Sequence, residues 1–489
     1  MVATAPARSA PTQGQFGQRP YGQRLYGKGA RRRIAWMSDI AGVFAISTVV
    51  ILVAMWFANG GIGALSAPGG AAMTFGRLTG LIAADLLLLQ VLLMARIPFV
   101  ERAWGQDVLT RRHRLVGETS FYLMMAHIVL ITIGYTQAGH LTFLAQTWYL
   151  IVNYPGMLLA VAGTVALLVV VATSLRAARR RMRYESWHLL HLYAYVGVAL
   201  VLPHELWTGA DFLSSPAMTI FWWTLWGLAA GAIVFFRLAL PIGRSLLHQL
   251  VVERVIEEAP GVQSVVIRGR QMVWLKPKPG QYFQWRFLTG PGWMRAHPYS
   301  VSALPDRNRL RITMRTAGDE GPRLARLRPG TRVLIEGPYG SLTADRRLHR
   351  DVLLIAAGVG ITPLRGLAEH IATEPPTDGP GGRLRPSVVV LHRVSAPPEA
   401  MFAAEWDELA ARYGIGVGRL VGPRGPSGSW LPATPHPVNP ARYLLSLVPD
   451  IADRSIYLCG PRDWMAAVRR TLGTLHVDPS AVHQEDFAG

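Results

Sequence analysis

The chain has 489 residues, half of them hydrophobic, a formal charge of +20 and a single cysteine, Cys459. That length allows two to four domains at about 100–200 residues each. One thiol excludes an intrachain disulfide and any cysteine-based zinc or iron–sulfur site.

Residues 1–33, rich in Gly, Gln, Arg and Pro, have the composition of a disordered basic cytoplasmic tail. They hold no apolar run of the kind found in a cleavable signal peptide. A helix needs about 20 mainly apolar residues to cross a bilayer, and six segments qualify: 36–58, 73–95, 115–135, 155–175, 187–206 and 217–240. Their connections sort by charge. Seven Lys/Arg precede the first span, five (Arg96, Arg102, Arg111, Arg112, Arg114) separate the second from the third, and five (Arg176, Arg179, Arg180, Arg181, Arg183) separate the fourth from the fifth. The connections 59–72, 136–154 and 207–216 carry none. The positive-inside rule therefore predicts a multi-pass protein of the cell membrane with both termini cytoplasmic. It also assigns much of the charge to topology and to anionic lipid rather than to nucleic acid.

Ionisable residues at membrane depth are costly and mark function. The third span carries His113 and His127, fourteen residues apart; the fifth carries His191 and His204, thirteen apart. Both helices run outward, so His113 and His191 share the inner level and His127 and His204 the outer, about 20 Å further along. Imidazoles at two matched depths suit two stacked haems, because a neutral ring nitrogen coordinates iron directly. Fourteen residues return to one helix face, whereas thirteen leave two side chains about 140° apart; Pro203 is placed to distort the fifth helix there. His188, one turn before His191, is a rival inner ligand. His140 falls in an outer loop.

Beyond residue 248 the pattern changes to short β-like runs (VVERVIE, VQSVVIRG, QYFQWRF, LRITMRT, TRVLIEG) between Gly/Pro turns, which predicts a small antiparallel barrel. Within it lies HPYSVSALP, 297–305, where a strand tyrosine beside a hydroxyl residue can stack on a flat heterocycle; an ordinary strand pair fits equally. DVLLIAAGVGITPLRGL, 351–367, runs from a buried strand through Gly358, Gly360, Thr362 and Pro363 into a helix, an arrangement that brings backbone and helix dipole to a pyrophosphate. The next strand ends in Arg393 and Ser395, suited to a 2′-phosphate. IYLCGPRDWM, 456–465, is a further strand entering a glycine turn, with Cys459 at its end.

In order and spacing these motifs resemble the ferric reductase/NADPH oxidase superfamily over roughly residues 36–487. The resemblance implies a multidomain membrane protein. Its six-helix transmembrane bundle (34–245) would hold two b-type haems, followed by a ferredoxin-reductase-like FAD-binding β-barrel (246–345) and a Rossmann-like α/β domain for NADPH (346–489). It further implies His113/His191 as inner and His127/His204 as outer haem ligands, and His297, Pro298, Tyr299 and Ser300 around the flavin ring and ribityl chain. Gly358, Gly360, Thr362 and Pro363 would form the nucleotide turn, and Cys459, Gly460 and Pro461 would lie near the nicotinamide. Phe487 of HQEDFAG would cover the flavin, and GPYG (337–340) is a further recurrent segment.

Two departures stand out. At the flavin-pyrophosphate loop this chain reads GDEGPRL, 318–324, with Gly321 in place of a hydroxyl residue, leaving backbone N–H groups around Gly318 and Arg315 for the phosphate. Superoxide-forming members carry a further histidine where this chain has Ile131, while Arg77 is placed to meet a haem propionate. The implied activity is transfer of electrons from NADPH to an extracytoplasmic acceptor, with ferric chelate first and O2, giving superoxide, second. A periplasmic or cell-surface redox protein is a third acceptor. A non-enzymatic transporter with a nucleotide-sensing domain is the reading of a different class.

Overall fold

The structure is a computed structural model. It describes residues 28–485 apart from 64, 140, 183, 210, 291, 317–320, 380–381, 426–428 and 434–437. His140, Gly318 and Phe487 lie outside the described residues.

Six helices are long and apolar enough to cross a membrane: Arg32–Ala58, Gly70–Met94, Gln106–Ala138, Met157–Ser174, Ser186–Trp207 and Pro216–His248. The first begins at Lys28, so the expected disorder does not extend to residue 33. The third starts nine residues earlier than its apolar run suggests, because the charged turn carrying Arg111, Arg112 and Arg114 continues the helix. The sixth reaches His248 through a π-helical stretch, Ile233–Ala239. A short helix, Pro98–Trp104, separates the second span from the third.

Leu52, Trp56, Leu88, Met218, Trp222 and Leu225 form the bundle core, while large apolar side chains such as Tyr122, Leu158 and Ile220 are exposed around it. Aqueous solvent would penalise that surface and lipid would not. With no hydrophobic gain in lipid, helices associate by close packing of small residues. The fourth and fifth helices meet at Gly163 and Gly197, where a Cβ on Gly163 would sit 2.7 Å from the Gly197 carbonyl oxygen.

The chain then enters a six-stranded antiparallel sheet. Its strands are β1 (Leu250–Ala259), β2 (Val262–Arg268), β3 (Tyr282–Phe287), β4 (His297–Ser300), β5 (Arg309–Arg315) and β6 (Arg332–Tyr339), in the order β4-β3-β6-β1-β2-β5. A Val301–Ile312 bridge links the end of β4 to β5 and closes the sheet into the expected barrel. Inward-facing Phe283, Trp285, Phe287 and Ile312 are fully buried in its core. The bundle and this barrel fall within one compact unit made of Ala30–Thr343 together with Thr362–Leu367.

The second unit carries β7 (Val352–Ala357), a hairpin of β8 (Thr377–Gly379) and β9 (Gly382–Leu384), β10 (Val388–Val394), β11 (Gly416–Val421), β12 (Ser455–Cys459) and β13 (Val482–Glu485). Its main sheet has the order β11-β10-β7-β12-β13, with β10 and β12 both parallel to β7. Strand order reverses between β7 and β12. In open α/β sheets that switch point, at the carboxyl ends of the strands, is where ligands bind.

Gly163→Val should overpack the interface of the fourth and fifth helices at a cost of about 1–3 kcal/mol and lower the thermal midpoint of the detergent-solubilised protein. Gly227→Val, where an added Cβ meets nothing within 4 Å, should leave the midpoint unchanged.

Candidate functional site

The third and fifth helices bring the four histidines together in two pairs. The rings of His113 and His191 have centres 6.0 Å apart, and those of His127 and His204 6.4 Å. Two imidazoles on opposite sides of one metal ion, each bonded at about 2 Å, have ring centres about 6 Å apart. Each ring is also anchored through Nδ1. His113 Nδ1 lies 3.3 Å from the Gln90 carbonyl oxygen and His127 Nδ1 2.8 Å from that of Gly76. His191 Nδ1 lies 3.2 Å from Ser174 Oγ, and His204 Nδ1 2.6 Å from Thr208 Oγ1. The carbonyl partners of His113 and His127 accept from Nδ1–H and leave Nε2 as the metal-binding nitrogen, the arrangement usual for ligating histidines, while the hydroxyls beside His191 and His204 can donate or accept.

Glycine makes room for the outer pair, since a Cβ on Gly80 would lie 2.5 Å from His127 Nδ1. The thirteen-residue spacing in the fifth helix does not keep His204 from its partner. Pro203 sits inside that helix, where its missing N–H breaks one backbone hydrogen bond. His188 is not the residue paired with His113; its ring lies against Trp187. Among the described residues no group of three or more His, Cys, Asp or Glu could hold a metal ion. Each pair by itself offers two imidazole ligands to a metal.

The Arg77 guanidinium pairs with Asp211, in the 207–216 connection, through two bonds of 2.5 Å. Ile131 packs against Gly76, where an added Cβ would meet it at 3.0 Å.

The bundle is tied to β6 of the barrel by charge. Arg237, from the sixth helix, donates to Glu336 Oε1 at 3.2 Å, and the Tyr339 hydroxyl donates to the same oxygen at 2.9 Å. The Arg96 guanidinium lies 4.4 Å from the centre of the Tyr339 ring and donates to Glu101 at 2.9 Å. Arg244 donates to the Gly337 carbonyl. Burial pushes the Glu101 carboxyl up, against the pull of Arg96. Burial and neighbouring Glu336 push the Tyr339 phenol up as well, so it stays a hydrogen-bond donor.

On β4, Tyr299 is half-buried, its ring nearly parallel to that of His297 at 5.9 Å, and Trp285 Nε1 donates to its carbonyl at 2.9 Å. Ser300 is buried and Pro298 exposed. Sequence reasoning missed Arg323, which lies 3.2 Å from His297 Nε2 and donates to the carbonyls of Phe287 and Thr289. Its position two residues after Gly321 in GDEGPRL was the available signal. Arg315 is exposed at the end of β5.

In the parallel sheet, β7 ends in the turn Gly358–Gly360, followed by the helix Ile361–Ala372, where Thr362 and Pro363 fill the first turn and are buried. Gly358 has φ +54°, and a Cβ on Gly360 would lie 2.2 Å from the Cys459 carbonyl oxygen. Only glycine fits there, and the turns after β7 and β12 are therefore in contact. Cys459 is fully buried, and Gly460 and Pro461 lead into the helix Arg462–Thr474. His392, also missed, donates from Nε2 to the Gly358 carbonyl at 3.0 Å. Arg393 donates to Ser395 Oγ and to the Gly422 carbonyl, both at 3.2 Å. Burial and the nearby Arg424 pull its guanidinium below the usual range. Arg393 on β10 and Arg424 beyond β11 are thus neighbouring cations, with Glu399 also close.

Residues 79–202 match the model of the family described as "Ferric reductase like transmembrane component". The chain is 30% identical over 236 residues to the reductase subunit of stachydrine N-demethylase from Rhizobium meliloti, covering 47% of this chain and 64% of that relative's length. It is 28% identical over 256 residues to the ferredoxin reductase component of 3-ketosteroid-9-alpha-monooxygenase from Mycolicibacterium smegmatis, covering 50% and 67%. Among solved structures it is similar to the Amycolatopsis cytochrome P450 reductase GcoB, with 21% identity, a TM-score of 0.38, and coverage of 49% of this chain and 69% of that one. The chain is thus similar to a ferric-reductase-like transmembrane component over residues 79–202 and, over about half its length, to reductase components.

Burial holds His392 neutral, with its pKa lowered to about 4, against about 6.5 when unfolded. The depressed value means that its contribution is fully present above pH 6.5 and is lost as pH falls to about 4. The loss is about 3 kcal/mol. Thermal unfolding of the full chain across this range should show that slope, and His392→Gln should flatten it.

Proposed function

We propose that this ferric-reductase-like transmembrane flavoprotein is an NADPH-dependent oxidoreductase carrying FAD and two b-type haems. It takes reducing equivalents on the cytoplasmic side and delivers electrons to an acceptor on the other, with ferric chelate as the leading acceptor. The observation that carries this reading is the pairing of four membrane imidazoles at two depths, each with Nδ1 engaged. Flavin accepts two electrons together from nicotinamide and releases them singly, and haem iron carries one at a time, which is the chemistry such a route needs.

The chain's own residues supply binding and orientation. His113 with His191, and His127 with His204, would each hold one haem iron through a pair of imidazoles, a ligation that suits electron transfer. Ile131, standing where the resemblance gives superoxide-forming members a further histidine, favours ferric chelate over O2 as the acceptor. Tyr299 and His297 would bound the flavin ring, with Arg323 fixing His297 and giving positive charge near the phosphates. The Gly358–Gly360 turn would admit a pyrophosphate to backbone N–H groups, with Cys459–Pro461 beside it. Arg393, Ser395 and Arg424 would take the 2′-phosphate, which sets NADPH above NADH. With the termini cytoplasmic, an electron leaving a negative interior is favoured by about 2.3 kcal/mol per 100 mV.

Haem content tests the central assignment. His191→Ala should lose one of two haems per chain, and His127→Ala likewise, whereas His188→Ala should keep both. A folded, haem-supplied preparation without haem would overturn the reading in favour of a transporter with a nucleotide-sensing domain. For the nucleotide, Arg393→Ala should raise the KM for NADPH at least tenfold more than that for NADH. Equal changes would contradict the 2′-phosphate assignment.

A further inference from the structure

Between the third span and the fourth lies a helix that the six spans do not account for, Phe143–Asn153, with the sequence FLAQTWYLIVN. At eleven residues it is about 16 Å long, too short to cross a bilayer. It packs against the third and fourth spans, and the side turned to them buries Gln146 and Leu150. The opposite side carries Leu144, Trp148 and Val152 at four-residue steps, 80%, 69% and 53% exposed. The helix thus turns a glutamine inward and its large apolar groups outward, the reverse of what water selects.

Two further observations say what covers that face. The first is depth. Gly156, three residues after the helix, has φ +81°, and a Cβ there would lie 2.9 Å from the backbone nitrogen of His204. His204 lies inside the fifth span, three residues before its end at Trp207. The C-terminal end of the helix is therefore held at the level of the outer histidine pair. Its other end follows the third span by only four residues, and the ring of Tyr154 lies 5.8 Å from that of Tyr135 on that span. The second is charge. Residues 136–154 contain no Lys, Arg, Asp or Glu, whereas the rim of a docking face for a soluble protein is polar. Tryptophan and tyrosine, here Trp148 and Tyr149, are the residues that gather at membrane–water boundaries.

We propose that Phe143–Asn153 is an interfacial helix, lying along the membrane boundary opposite the barrel with Leu144, Trp148 and Val152 among the first acyl carbons of that leaflet. Short helices with one strongly apolar face bind lipid in this way. The exposed side is continuous with Leu158 at the start of the fourth span, itself exposed. A face given over to lipid is unavailable to a water-borne acceptor. The inference rests on the six spans and not on the electron-transfer reading, so either can fail alone.

The test places a nitroxide on single introduced cysteines in the full chain, Leu144→Cys, Trp148→Cys and Val152→Cys, reconstituted in phospholipid nanodiscs. Cys459 is fully buried, and the native chain taken through the same labelling gives the background. Power-saturation EPR compares collision with oxygen, which concentrates among acyl chains, and with a neutral nickel chelate, which stays in water. Val165→Cys, exposed midway along the fourth span, and Leu447→Cys, exposed in the second unit, are the lipid and water references. The expected result is oxygen exceeding the chelate several-fold at all three positions, as at Val165. Circular dichroism checks each variant, and if one does not fold the other two read the same face. Chelate collision matching that at Leu447 overturns the proposal and leaves the face open to a soluble partner. Exclusion of both reagents also overturns it, since protein would then cover the helix, with line broadening between labels marking a second copy of this chain.

Discussion

Everything in the membrane half is arranged around the fixing of four imidazoles. A histidine ring at membrane depth must have its polar atoms satisfied, and here each Nδ1 has a partner drawn from a different place: two backbone carbonyls of the second helix and two hydroxyls. The rings then meet their partners with centres 6.0 Å and 6.4 Å apart. Helix packing serves the same end. Gly80 gives His127 its space, and Gly163 and Gly197 let the fourth helix close against the fifth. Bulk at these positions would move rings as well as helices.

The second constraint is the junction with the barrel. Glu336 on β6 accepts from Arg237 of the sixth helix and from Tyr339 of its own strand, and Arg96 lies over Tyr339 while pairing with Glu101. These groups are partly or wholly out of water, so each charge is held by another and cannot be removed singly without cost. The consequence is a barrel held in a fixed relation to the bundle. Electron transfer through fixed groups depends on distance, so a rigid junction serves the proposed activity better than a flexible linker.

Much of this was legible in the sequence. Apolar length gave the six spans, matched depths gave the histidine pairs, and two-residue periodicity between turns gave the barrel. Helix ends were less legible, because the arginine-rich turn before His113 has no apolar signal yet continues the third helix. The anchors of the rings could not be read at all. Gln90 and Gly76 act through backbone carbonyls, which any residue possesses, and Thr208 is one hydroxyl among many. The Asp211 partner of Arg77 was hidden for a related reason: it lies in a connection whose sequence was informative only for its lack of Lys and Arg. His392 was hidden beside Arg393, since strand position alone does not reveal that it reaches the Gly358 carbonyl.

The central claim is that electrons cross the membrane. Its most direct test is the haem- and FAD-loaded protein in sealed proteoliposomes, with an impermeant ferric chelate trapped inside and NADPH added outside. The account predicts that the trapped chelate is reduced by those molecules whose nucleotide domain faces outward. If the trapped chelate stays oxidised while the same chelate added beside NADPH is reduced, the redox chemistry stays on one side and the transmembrane route is wrong.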